Sequence, residues 1–224
     1  MPLTNEDFLR FGRLLGNLIA ETDPVVQPYV EREFILNLRT ERGSTADVFL
    51  RPFATSALSL HTEGSGRATG DQPRYIVLMC CEPGADASAA TVLVPMDAVS
   101  GRLSEEDLYL LSHTRYRGRT GVPTIARRVD HRIVYSFRDF QGTPLEWECA
   151  VGSAPSAAVH AAFRSLLAAM YARQGAYAVQ WSRGLLVVID NFRFFHGRSS
   201  GHSRLSGKPR HLMRLRIQSP AGQA

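Results

Sequence analysis

"SALSLHTEGSGR", residues 56–67, ends an alternating stretch on an imidazole and a carboxylate. Leu58 and Leu60 alternate with the small residues Ala57 and Ser59, the period of a short strand with one face turned to a core. After Glu63 the chain passes into Gly64, Ser65, Gly66 and Arg67, where a strand cannot continue. Residues i and i+2 of a strand share a face about 7 Å apart. His61 and Glu63 can therefore reach one metal ion together.

Two further stretches supply partners. "VIDNFRFFHGRSS" (188–200) carries His196 after an apolar strand and a polar Asp190–Asn191 turn. Two imidazoles and one carboxylate on one face of an octahedron leave three positions open, the donor pattern of non-haem Fe(II) sites. "GKPRHLMRLRI" (207–217) places Arg210 fourteen residues after His196. On a strand, Arg210, Leu212, Arg214 and Arg216 share one face, and His211, Met213, Leu215 and Ile217 share the other. Guanidinium groups on an inward face need anionic partners, and a carboxylate fits their fork.

The rest of the chain reads mainly as short strands. "ADVFL" (46–50), "ALSL" (57–60), "RYIVLMCC" (74–81), "ATVLVPM" (90–96), "HRIVYSF" (131–137) and "LEWECAV" (145–151) have strand character, as do "AYAVQW", "LLVVID" and "HLMRLRI". A Thr4-capped helix is predicted over Asn5–Ile19, a Ser104-capped helix over 105–113 and a third over Ala157–Gln174. Residues 28–40 are ambiguous. Many strands without βαβ alternation point to a β-sandwich or barrel with added helices, in a single domain.

Composition narrows the function classes. The 224 residues are 44% hydrophobic and 21% charged, enough for a core without disulfides. The longest aliphatic run, Leu185–Ile189, is far short of the roughly 20 residues of a membrane span. Three cysteines, two of them adjacent, form no disulfide or zinc-ribbon pattern, and no basic–apolar leader opens the sequence, so a cytoplasmic location is expected. The net charge of +5 is scattered apart from the C-terminal arginines, which favours a small acidic ligand over nucleic acid.

Taken together, His61-Thr62-Glu63, "DNFRFFHGR" and "SGKPRHLMRLRI" resemble the Fe(II)/2-oxoglutarate-dependent oxygenases of the clavaminate synthase-like and taurine dioxygenase-like superfamily, over roughly residues 56–218. The resemblance implies a double-stranded β-helix, or jelly roll, with helices packed outside. It implies Fe(II) on His61, Glu63 and His196, with 2-oxoglutarate and O2 as co-substrates. Arg210 would pair with the distal carboxylate of 2-oxoglutarate, and Thr91 would hydrogen-bond the same molecule. Arg214 matches an arginine that holds the substrate carboxylate in amino-acid hydroxylases of the group. Arg67 on the glycine-rich loop, and Glu146 and Glu148 on "LEWECAV", are further candidates for substrate contact. Halogenases of the family carry Ala or Gly where Glu63 stands, so hydroxylation, desaturation or ring closure is implied. The expected substrate is a free amino acid or similar small carboxylate, in natural-product biosynthesis. Alternatives are the same chemistry on a peptide or carrier-bound amino acid, or a non-catalytic binding protein that keeps the barrel.

Overall fold

The computed structural model describes the whole chain except residues 1, 41, 42, 44, 46, 48, 49, 86–88, 118, 119, 139–145, 153, 201–207 and 220–224. Thr4 caps α1 (Asn5–Leu15), its hydroxyl accepting from the Asp7 N–H at 3.2 Å with Glu6 and Asp7 in the first turn. The helix stops four residues short of the expected Ile19. Asn17–Leu18 instead form β1, paired with Gln218 and Ile217 of the last strand, and the Ile19 N–H donates to the Arg216 carbonyl. The sheet satisfies the backbone groups that another helical turn would have used.

The ambiguous region 28–40 becomes β2 (Val30–Glu31) and β3 (Ile35–Arg39). Then come β4 (Leu58–His61), β5 (Tyr75–Glu82), β6 (Thr91–Pro95), α2 (Met96–Ser100) and α3 (Glu105–Ser112). The Ser104 capping box forms as its sequence suggests, with Asp107 as its partner. β7 (Thr114–Tyr116), β8 (Ala126–Val129), β9 (Arg132–Tyr135) and β10 (Trp147–Cys149) precede α4 (Ser156–Met170). The chain closes with β11 (Tyr177–Val179), β12 (Leu186–Asp190), β13 (Phe194–Arg198) and β14 (His211–Gln218). Of the expected strand 46–50, residues 46, 48 and 49 lie outside the described residues; Asp47 and Leu50 belong to a turn, joined by a 3.2 Å backbone bond.

Two antiparallel sheets face each other. The larger runs β12-β5-β14-β3-β2, with β1 also on β14, and the smaller runs β11-β6-β13-β4. This is the jelly roll expected from the sequence. Period-two alternation on β5 sends Ile76, Leu78 and Cys80 between the sheets, where they pack with Trp181, Ile189 and Leu212. Val77 and Met79 face outward, joining Met213, Leu215 and Ile217 beneath Phe8 and Leu9 of α1. Behind the smaller sheet, α2, α3 and α4 close a second apolar layer containing Leu60, Val94 and Phe195. What remains between the sheets is the polar end: a cavity of about 540 Å³. Among the described residues no helix is long and apolar enough to cross a membrane.

Candidate active site

The site is built on a mismatch between two strands. His196 of β13 lies directly opposite His61 of β4, while Arg198 lies opposite Leu58. Two steps on β13 therefore match three on β4, which is a β-bulge. In a regular strand Leu58 and His61 would face opposite sides. The bulge turns both toward the cavity and sends Leu60 to the apolar layer behind. It needs Gly197 across the gap, since a Cβ there would stand 2.6 Å from the Leu58 carbonyl oxygen.

The two imidazoles lie with ring centroids 4.3 Å apart. His61 Nδ1 is 2.8 Å from the Ser59 carbonyl. A carbonyl only accepts, so Nδ1 carries the proton and Nε2 presents its lone pair. His196 Nε2 is 4.0 Å from Glu63 Oε2, too far for a hydrogen bond. One donor atom from each of His61, Glu63 and His196 lies within 4.8 Å of the other two. Among the described residues His196 Nδ1 is buried without a hydrogen-bond partner. Two nitrogens and a carboxylate oxygen converging this closely fit a divalent transition metal better than they fit one another.

Glu63 is set from its backbone as well as its carboxylate. Its N–H donates to Asn191 Oδ1 at 2.8 Å, and Asn191 Nδ2 donates to its carbonyl at 3.1 Å and to that of Pro73 at 2.9 Å. Asn191, in the turn before His196, therefore clamps a residue 128 positions away. Gly64, with φ of +72°, then turns the chain out of the site.

Electrostatics favour the metal-ready state. Burial raises the Glu63 carboxyl pKa, but Arg214, then Arg216 and the two histidines, outweigh this and hold it well below the usual carboxylate range. Burial lowers the His61 pKa against the opposing pull of Glu63, and burial and then His61 lower that of His196 further. A negative carboxylate and two neutral imidazoles are the forms that bind metal.

Arg210, Thr91, Arg214 and Arg67 line the same cavity as the three converging residues. Thr91 Oγ accepts the Trp181 indole N–H at 3.0 Å, which leaves its own hydroxyl proton to donate elsewhere. Arg210 is buried, with Nη1 3.3 Å from the Ala89 carbonyl. Arg214 already has carboxylate partners: Nη1 is 3.2 Å from Glu63 and Nη2 is 2.8 Å from Glu21. Arg216 reaches Glu21 at 2.9 Å. Arg198 is spent on structure, donating to the carbonyls of Arg51, Pro52 and Ser56.

Glu146 and Glu148 stand apart from this group. Glu146 is exposed just before β10, Glu148 on β10 pairs with Arg115 at 2.6 Å, and neither is among the described residues that line the cavity. Trp147 between them turns inward to the α4 layer, so alternation sends its neighbours out. Sequence reasoning missed Glu21, buried at 5% exposure, which neutralises two arginines from the N-terminal segment. The available signal was the charge balance of β14, whose inward arginines outnumber the single carboxylate of the His61–Glu63 motif.

The family model "Taurine catabolism dioxygenase TauD, TfdA family" matches residues 1–216, and the chain belongs to that family. No curated protein sequence matches it. Among solved structures, asparagine oxygenase AsnO superposes with a TM-score of 0.71 at 18% identity, covering 96% of this chain and 63% of that one. PvcB from Pseudomonas aeruginosa gives 0.67 at 22% identity, covering 97% and 72%. The non-haem iron oxygenase OrfP, solved with Fe and alpha-ketoglutaric acid, gives 0.68 at 17% identity, covering 96% and 64%. The chain thus spans less than two thirds of the length of AsnO and of OrfP.

Proposed function

We propose that the protein is an Fe(II)- and 2-oxoglutarate-dependent dioxygenase that oxidises an unactivated C–H bond of a free amino acid or similar small carboxylate. The observation that carries this reading is the convergence of His61, Glu63 and His196 at a cavity also lined by Arg210 and Thr91. The solved relatives include an asparagine oxygenase, and OrfP bound to a hydroxylated arginine.

In this reading His61, Glu63 and His196 hold the iron, with His61 fixed in its tautomer by Ser59 and Glu63 aimed by Arg214 and Asn191. Bound iron and 2-oxoglutarate supply the chemistry: decarboxylation of the oxoacid to succinate and CO2, coupled through O2 to oxidation of a substrate C–H bond. Arg210 pairs with the distal carboxylate of 2-oxoglutarate and Thr91 donates its hydroxyl proton to the same molecule. Leu38, Leu58, Leu78 and Leu212 wall the cavity and exclude water. The Glu63 carboxylate fills the position a halide would need, which supports hydroxylation over halogenation.

The test is succinate formation from 2-oxoglutarate with Fe(II) and O2, across a panel of free amino acids. Stimulation by one or more of them, lost in H196A and E63A, is the expected result. Turnover confined to a peptide- or carrier-linked amino acid would move the substrate class to that alternative. Failure to bind Fe(II) would leave a non-catalytic barrel.

A further inference from the structure

Glu21 has no counterpart among the residues that the motifs single out, and its position bears on substrate choice. One of its oxygens takes Arg214 Nη2 at 2.8 Å and the other takes Arg216 Nη2 at 2.9 Å. An arginine receives a carboxylate in bidentate fashion along one of two edges, Nη1 with Nη2 or Nε with Nη2. On Arg214 Nη2 already bonds Glu21, which commits one of its two N–H groups to a carboxylate. Nη1 bonds Glu63, and Nε is buried without a hydrogen-bond partner among the described residues. An incoming carboxylate would therefore meet a guanidinium whose two terminal nitrogens already bond carboxylates.

Nor is Glu21 a loose arm that a substrate could push aside. Its N–H donates to the Glu33 carbonyl at 3.0 Å, and its own carbonyl accepts from the Gln27 side chain. Displacing it would expose two buried guanidinium groups to a site that offers them only Glu63. Arg67 presents the opposite case. It lies just past Glu63, with Cδ 3.6 Å from where a Gly64 Cβ would stand, and it lines the cavity. Among the described residues no ion pair or side-chain hydrogen bond engages its guanidinium.

We propose that Glu21 withdraws Arg214 from substrate recognition and that Arg67 receives the carboxylate of the substrate. This rests on reading the cavity as the oxygenase site, and it makes Glu21 and Arg67 specificity-determining residues. The probe is trifluoroacetate, followed by ¹⁹F NMR on anaerobic protein saturated with Fe(II) and 2-oxoglutarate, so that Arg210 is occupied.

Wild type is expected to bind the probe saturably, and R67Q to bind it about tenfold more weakly or worse. E21Q, which frees Arg214, is expected to bind it about tenfold more tightly, and E21Q/R214Q to lose that gain. An absence of saturable binding to wild type, an unchanged affinity in R67Q, or a gain in E21Q that survives the loss of Arg214 would each overturn the proposal. Arg67 lies on a turn outside the strands, so R67Q decides the matter even if E21Q does not fold. The visible absorption of 2-oxoglutarate chelated to Fe(II), recorded on the same samples, separates the two levels. Its absence in wild type strikes the oxygenase reading; its presence with an unaltered R67Q strikes this proposal alone.

Discussion

Phe195 and His196 are neighbours on β13, and their surroundings could hardly differ more. Phe195 is fully buried behind the smaller sheet, with its ring centroid 5.3 Å from that of Tyr135. His196 is nearly as buried, at 8% exposure, yet it faces Glu63, His61 and the cavity. The apolar face needs only shape, since any well-packed hydrocarbon satisfies its neighbours. The polar face needs each group matched in turn: Ser59 for His61, Arg214 for Glu63, Glu21 for Arg214, and three backbone carbonyls for Arg198. Stability is concentrated on one face and chemistry on the other, one residue apart.

The sharpest way to break that division is to truncate both neighbours separately. H196A removes a ligand from the proposed iron site. Loss of a residue that merely orients a ligand costs about 10- to 100-fold in metal affinity, so loss of the ligand itself should exceed this and abolish turnover. The fold should survive, because H196A relieves a buried nitrogen without a partner. F195A should do the reverse, lowering stability by about 3–5 kcal/mol while the folded fraction still binds Fe(II). Metal titration and urea unfolding of the two variants check the pair. Equal effects on both readouts would mean that the two faces are not separable.

G197A attacks the device that joins the faces. The new methyl would stand 2.6 Å from the Leu58 carbonyl, so the bulge must shift and His61 with it. The expected outcome is a destabilisation of about 1–3 kcal/mol, with about 10- to 100-fold weaker metal binding. A stability loss without a metal defect would show that His61 does not depend on the bulge.

The polar face should also respond to pH where the apolar face does not. The folded-state pKa values of His61 and His196 lie below their ordinary 6.5, so the unfolded chain takes up protons first as the pH falls. Their neutral burial is therefore without penalty above about pH 6.5, and metal-free stability declines as the pH drops below it. Glu63, whose pKa is depressed, stabilises the fold above its ordinary 4.5, and that contribution is lost as the pH falls further. Urea midpoints of the metal-free protein between pH 7.5 and pH 5, compared with those of H61N/H196N, test the histidine part. An identical slope in both proteins would contradict it.

How much of this could be read beforehand follows the range of each interaction. The His61–Glu63 pair and the alternation of β14 were legible because each is local, although β4 ends at His61 and Glu63 stands in the turn that follows it. A β-sandwich or barrel followed from the number of short strands, and the jelly roll itself from the resemblance. The meeting of His61 with His196 was legible only as a resemblance, because the bulge that aligns them depends on a pairing across 135 residues of chain. Glu21 was not legible at all. The inward arginines called for another acid, but among 21 Asp and Glu residues nothing local marks the one that stands three residues after β1. For Glu146 and Glu148 the difficulty is the converse, since two carboxylates two residues apart do not reveal whether their face is inside.

The smallest expected effect tests whether a residue of the apolar layer reaches into the chemistry. Trp181 belongs to the cluster between the sheets, yet its indole N–H donates to the Thr91 hydroxyl. That bond commits an oxygen lone pair of Thr91 and leaves its proton for the proposed contact with 2-oxoglutarate. W181F keeps most of the hydrocarbon and removes only the donor, so the loss should be about 1 kcal/mol, or roughly fivefold in the KM for 2-oxoglutarate. If Trp181 were only packing, stability would fall and that KM would stay where it was. T91V should raise the same KM at least as far, and the double variant should add little to it, since both substitutions break one bond.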